Sequence, residues 1–259
     1  MQLLIGFILV LMTQSLWGAQ QCFPINELRY PVSQHKGMKQ GLSEFEARAL
    51  IERFKASLSP NVKKEFSKKL VVNLEWENDR VNAHCTLDDN DNPVINLLGG
   101  MIRHPEMTRD GLLLILCHEL GHYMGGNPKK FRGQSTLRSW ASVEGQADYF
   151  ATFNCLPLVF NDHKETKGMY DESKETVSNA QKRCSTSDCV RSSLAGLAVA
   201  RLFASLKLGQ ELPTLVREDE TQVPITLQTH PRPQCRLDTF VAGADRWERP
   251  FCWFNPENF

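Results

Sequence analysis

The strongest constraint on the fold of this chain is one continuous stretch, residues 108–128, which reads TRDGLLLILCHELGHYMGGNP. A helix is predicted to begin near Thr108 and to stop at residues 125–128, because glycine and proline end helices. Its first half, GLLLILC, is apolar on every side, which predicts a helix buried inside the protein. The chain must therefore fold around this helix and accommodate the polar side chains of its second half.

Those polar side chains have the spacing of a metal-binding motif, HExxH. On a helix, His118 and His122 are one turn apart and project from the same face, so two imidazoles can bind one ion. Glu119 is rotated by about 100° from His118 and can flank the ion without ligating it. A base that acts on a metal-bound water must lie there. The alternative is a solvated helix face with this spacing by coincidence, and the apolar run before the motif weighs against it.

Residues that can complete the site lie downstream, in SVEGQADYFA at 142–151. A catalytic zinc needs three protein ligands and one open position. Glu144 and Asp148 are four residues apart on a predicted helix and face the same way, so Glu144 is the candidate third ligand. Asp148 can accept the free N–H of a ligating histidine, which we assign as His118. Two acids on a helix are by themselves more simply surface residues, but their apolar neighbours favour an inward orientation.

These motifs resemble a known group of enzymes. HExxH followed by a helix with ExxxD resembles the gluzincin metallopeptidases, and EGQADYFA is similar to a segment of the HtpX and CAAX-prenyl-endopeptidase family, which includes BepA. The stretches RVNAHC and PVINLLGGM resemble the strands that precede the motif helix in that family. THPRPQCRL resembles its HPP…R element, with His230 and Arg236 at the same separation and Arg232 in place of the second proline.

The resemblance implies a zincin-like fold with a small mixed sheet, several helices and an active-site helix that carries HELGH. It also implies that His230 hydrogen-bonds the oxyanion formed when the scissile carbonyl is attacked. Arg236 would support the cleft, for example by pairing with an acid near the zinc. The simpler interpretation of His230 is a polar turn residue before Pro231.

The coarse pattern predicts one α+β domain that spans residues 20–259. Helical periodicity and a capping box predict the first helix, and alternating apolar residues predict short strands after it. The predicted helices lie at 43–58, from 108 onward, from 139 onward, at 190–208 and just after 229–236. The predicted strands lie at 70–76, 80–86 and 93–100.

Residues 1–19 predict an exported protein. They are apolar, carry no acid or base and end in small residues, as a secretory signal peptide does. An uncleaved anchor is the alternative, since the run nearly reaches spanning length. A lipoprotein at Cys22 is disfavoured, because glutamines precede it. No second spanning run follows, so we expect a soluble mature protein in the periplasm or medium.

The cysteine content agrees with export. All eight cysteines follow the predicted signal, and an even count in an exported chain predicts disulfides. We interpret them as structural cross-links, with Cys184–Cys189 as the expected local pair. Cys117 is the exception, because within the motif helix a buried thiol is as plausible as a bridge. The absence of an Asn-x-Ser/Thr sequon favours a bacterial protein.

Charge excludes one class of partner. The chain has 30 Lys plus Arg and 30 Asp plus Glu, so it lacks the basic excess that would indicate a nucleic-acid partner. The motif and the family resemblance instead imply a protein or peptide substrate, cut by a zinc endopeptidase through a Glu-activated zinc-bound water. A zinc-bound but non-hydrolytic recognition module of the cell envelope is one alternative. A disulfide-linked interaction protein without metal is another.

Overall fold

The structure is a computed structural model that describes residues 20–21, 23–34, 41–133, 136–161, 172–207 and 209–258. The predicted signal peptide at 1–19 and Cys22 lie outside the described residues. Within the described ranges, no helix is long and apolar enough to cross a membrane.

The described chain has a mixed α+β architecture, as predicted. Its helices are α1 Glu44–Phe66, α2 Gly99–Arg103, α3 Arg109–Met124, α4 Glu144–Phe150, α5 Leu156–Asn161, α6 Lys174–Arg183, α7 Ser187–Ser205 and α8 Pro233–Ala244, with a π-helical turn at Ala151–Cys155 between α4 and α5. Its strands are β1 Gln20–Gln21, β2 Val71–Glu75, β3 Ala83–Leu87, β4 Pro93–Leu98, β5 Lys129–Phe131 and β6 Arg138–Ser142.

The larger sheet has the strand order β1-β3-β4-β2. It is mixed, because β2 runs parallel to β4 while β1 and β4 run antiparallel to β3. Alternate residues of β4, such as Ile95 and Leu97, are fully buried and contribute to the main core. Strands β5 and β6 form a separate antiparallel hairpin, which directly precedes α4.

Helix α3 runs through the main core. Thr108 caps its N-terminus by accepting a hydrogen bond from the Gly111 amide at 3.0 Å. Every residue from Asp110 to His122 is buried. Gly121 allows α4 to approach closely, since a Cβ there would lie 2.8 Å from the carbonyl oxygen of Ala147. This approach brings the second half of α3 against the first turns of α4.

One predicted helix is partly wrong. The helix expected from Ser139 begins only at Glu144, because residues 138–142 form β6 and pair with β5. Val143 is the N-cap of α4, in an extended conformation. The pairing partner lies across a hairpin and overrides the local helical pattern.

Several other element boundaries differ from prediction. The strand expected from residue 80 begins at Ala83, α7 begins at Ser187 instead of residue 190, and α8 begins at Pro233, within the segment that it was expected to follow. Helix α1 continues past Pro60 to Phe66, with Val62 still buried on its inner face. The strand expected to reach residue 100 ends at Leu98, where Gly99 starts α2. A Cβ on Gly99 would lie 1.9 Å from the Trp76 carbonyl oxygen, so backbone crowding requires glycine there.

Three disulfides form among the described cysteines. Cys184–Cys189 is the predicted local pair, and the other two bridges join residues that are distant in sequence, Cys117–Cys155 and Cys235–Cys252. The open question about Cys117 is therefore answered by a bridge that ties α3 to the π-helical turn. The interpretation of Cys85 as a cross-link is wrong, because it is a buried free thiol on β3.

Candidate metal centre

Two helices supply the three residues that could hold a metal ion. His118 and His122 extend from α3, and Glu144 is the first residue of α4. One ligand atom from each lies within 4.8 Å of the others, and all three residues are buried. The Nε2 atom of His118 is 3.3 Å from Oε2 of Glu144, and that of His122 is 3.7 Å from Oε1.

Hydrogen bonds at the opposite ring nitrogens orient both imidazoles. His118 Nδ1 lies 2.7 Å from Oδ1 of Asp148, and His122 Nδ1 lies 2.9 Å from the backbone carbonyl of Ser142. A carboxylate and a carbonyl can only accept, so each Nδ1 carries the proton in a neutral ring. The two Nε2 atoms are therefore lone-pair donors that face Glu144.

The donor set fits zinc. Two imidazole nitrogens and one carboxylate oxygen form the typical protein ligand set of a catalytic zinc. His122 Nε2 is buried and makes no hydrogen bond within the described part of the chain, so its lone pair is available to a cation. Asp219, Cys235 and Cys252 also cluster, but both cysteines are in a disulfide and cannot ligate. The His118–His122–Glu144 group is therefore the candidate centre.

Behind His118, a buried ion pair supports Asp148. Arg236, on α8, places Nη2 2.5 Å from Oδ1 of Asp148, and both side chains are fully buried. The guanidinium also stacks on the ring of Phe203, 3.7 Å from its centroid. This contact joins α8 and α7 to the residue that orients His118.

Two further side chains face Glu144. His230 Nε2 lies 3.5 Å from Oε2, and its side chain is 25% exposed, so it borders the solvent side of the site. Lys130 Nζ lies 2.6 Å from Oε1. Nothing in the sequence indicated Lys130, because it lies on a short hairpin strand outside every motif.

The electrostatics favour the protonation states that bind metal. Burial would raise the pKa of Glu144, but the Lys130 ammonium first, and the neighbouring imidazoles after it, hold that pKa well below its usual value. Burial also holds the pKa of His122 well below its usual value. The site thus presents an ionised carboxylate and a neutral imidazole, the forms that act as ligands.

Glu119 lies on α3 between the two histidines and is fully buried. Its carboxylate acts electrostatically on Cys85 of β3, whose thiol pKa is raised well above its usual value by burial and then by Glu119.

The structure brings six of the seven sequence-predicted site residues into one cluster, and Glu119 lies on the same helix as the two histidines. Direct contacts join the six, namely His118, His122, Glu144, Asp148, His230 and Arg236. The residues that sequence reasoning missed are Lys130 and Ser142. The Ser142 carbonyl had no sequence signal, because backbone acceptors do not depend on side-chain identity.

No protein-family model, curated protein or solved structure matches this chain. The class of the site is therefore defined by its own chemistry: two oriented imidazoles and one carboxylate that could hold a metal ion.

Proposed function

We propose that this chain is an exported zinc-dependent endopeptidase of the gluzincin type with a zincin-like fold. The observation that carries the proposal is the convergence of His118, His122 and Glu144, with the buried Glu119 directly after His118 on the same helix. The three disulfides support export to the periplasm or medium, since such bonds persist in oxidising compartments. The substrate class is protein or peptide.

His118, His122 and Glu144 would hold the zinc, which when bound polarises a carbonyl and acidifies a water molecule. Glu119 is the general base, which takes a proton from the attacking water and later delivers it to the leaving amine. Its burial removes competing solvent and keeps the transferred proton within the site.

His230 is the proposed donor to the oxyanion of the tetrahedral intermediate. Its Nε2 lies 3.5 Å from the Glu144 carboxylate while its side chain reaches solvent, so a substrate carbonyl can approach it from the open side. Asp148 and Arg236 position His118 and do not touch substrate.

The test compares cleavage of reduced casein by the zinc-loaded protein, residues 20–259, with that by Glu119→Gln. We expect the variant to retain one zinc per chain and to lose at least about 100-fold in turnover, because the base is gone. Glu65→Gln, an exposed residue of α1, is the matched control and retains full activity. Equal turnover in wild type and Glu119→Gln would refute this mechanism.

A zinc-loaded wild type that binds unfolded casein without cutting it would instead support the non-hydrolytic recognition module. A chain that binds no zinc would exclude both functions.

A further inference from the structure

Lys130 places a positive charge in a site whose other residues could bind a metal cation. Its Nζ lies 2.6 Å from Oε1 of Glu144, and the lysine side chain is only 16% exposed while the glutamate is fully buried. At that distance the ammonium is a charge-assisted hydrogen-bond donor to the carboxylate. The same carboxylate belongs to the group that could hold a metal ion.

The hairpin directs this lysine specifically. The register of β5 against β6 is irregular between Lys129 and Phe131, and such irregularities redirect a side chain. The ammonium of Lys129 donates to the Trp140 carbonyl at 2.8 Å and so stays on the hairpin. Of these two consecutive lysines, therefore, Lys129 forms its hydrogen bond within the hairpin and Lys130 contacts Glu144.

A divalent ion and an ammonium bound to one carboxylate repel each other at short range. An oxygen that holds a 2.6 Å hydrogen bond is also less available as a ligand. We infer that Lys130 competes with the metal for Glu144 and thereby sets the zinc affinity of the site. This inference rests on the proposed zinc ligands, and Lys130 acts on the metal only through Glu144.

The first test measures zinc dissociation constants by competition with a chromophoric chelator, in wild type, Lys130→Met, Lys130→Arg and Lys129→Met. Removal of the competing charge tightens zinc binding by about tenfold or more. Lys130→Arg keeps the charge and stays near wild type. Lys129→Met removes the same charge from the same strand without touching Glu144, and changes affinity by no more than about twofold.

Equal affinity in wild type and Lys130→Met, or equal shifts in the two methionine variants, overturns the inference and leaves the proposed function standing. If none of the four proteins binds zinc, both fail.

The second test needs no variant. Acylation of Lys130 by acetic anhydride is followed by peptide mass spectrometry, with and without zinc. Zinc weakens the ion pair and raises the labelling of Lys130 several-fold, while the labelling of Lys129 is unchanged. Labelling of Lys130 that zinc leaves unchanged or reduces would overturn the inference.

Discussion

Substitution of Arg236 by methionine tests how the ion pair behind His118 supports the site. Arg236 and Asp148 are both fully buried, and their charged atoms are 2.5 Å apart. The methionine retains the apolar contact with Phe203 but leaves the Asp148 carboxylate in the interior without its cation. Breaking one partner of a buried pair costs about 3–5 kcal/mol, so we expect Arg236→Met to lower the free energy of unfolding by that amount.

The assay is urea unfolding of wild type, Arg236→Met, Asp148→Asn and the double variant, with disulfides intact. In the double variant no buried charge is left uncompensated. We therefore expect it to be more stable than the sum of the single losses predicts, with a coupling of about 2 kcal/mol or more. His118 also loses its orienting carboxylate in Asp148→Asn, which lowers zinc affinity by about 10–100-fold. Additive losses, or a loss below about 1 kcal/mol for Arg236→Met, would refute the assigned role of the pair.

Two further predictions concern stability. A Cβ at Gly145 would lie 2.1 Å from the fully buried ring of Trp253. Gly145→Ala should therefore lower the free energy of unfolding in urea by about 1–3 kcal/mol and weaken zinc binding by displacing Glu144. An unchanged free energy of unfolding together with unchanged zinc affinity would contradict this packing. Hydrogen bonds from Ser43 are the main reason that the pKa of Glu46 lies below its ordinary value of 4.5. The ionised Glu46 therefore stabilises α1 above pH 4.5, and this stabilisation is lost as the pH falls through the lowered pKa. Glu46→Gln should therefore lower stability by less than about 1 kcal/mol near neutral pH and converge with wild type in acid, and a difference that persists in acid would argue against the ionised cap.

The parts of the candidate site that could be predicted from the sequence are those governed by local geometry. His118 and His122 share a face because both lie on one uninterrupted helix, and the apolar run before them predicted its burial. Glu144 and Asp148 share a face of α4 for the same reason. Within one helix the backbone hydrogen bonds connect near neighbours, so residue spacing alone determines which side chains lie together.

Tertiary structure decided the contacts between segments that are distant along the chain. Pairing with β5 places residues 139–142, which were predicted to be helical, in strand β6. Strand β6 supplies the Ser142 carbonyl to His122, and strand β5 brings Lys130 to Glu144. The pairing of Cys117 with Cys155 and the isolation of Cys85 depended on which elements pack together. Such contacts depend on how elements pack in three dimensions, which the local pattern of residues does not specify. The sequence by itself therefore determined which residues could bind a metal, and only the packed structure decided which charges surround them.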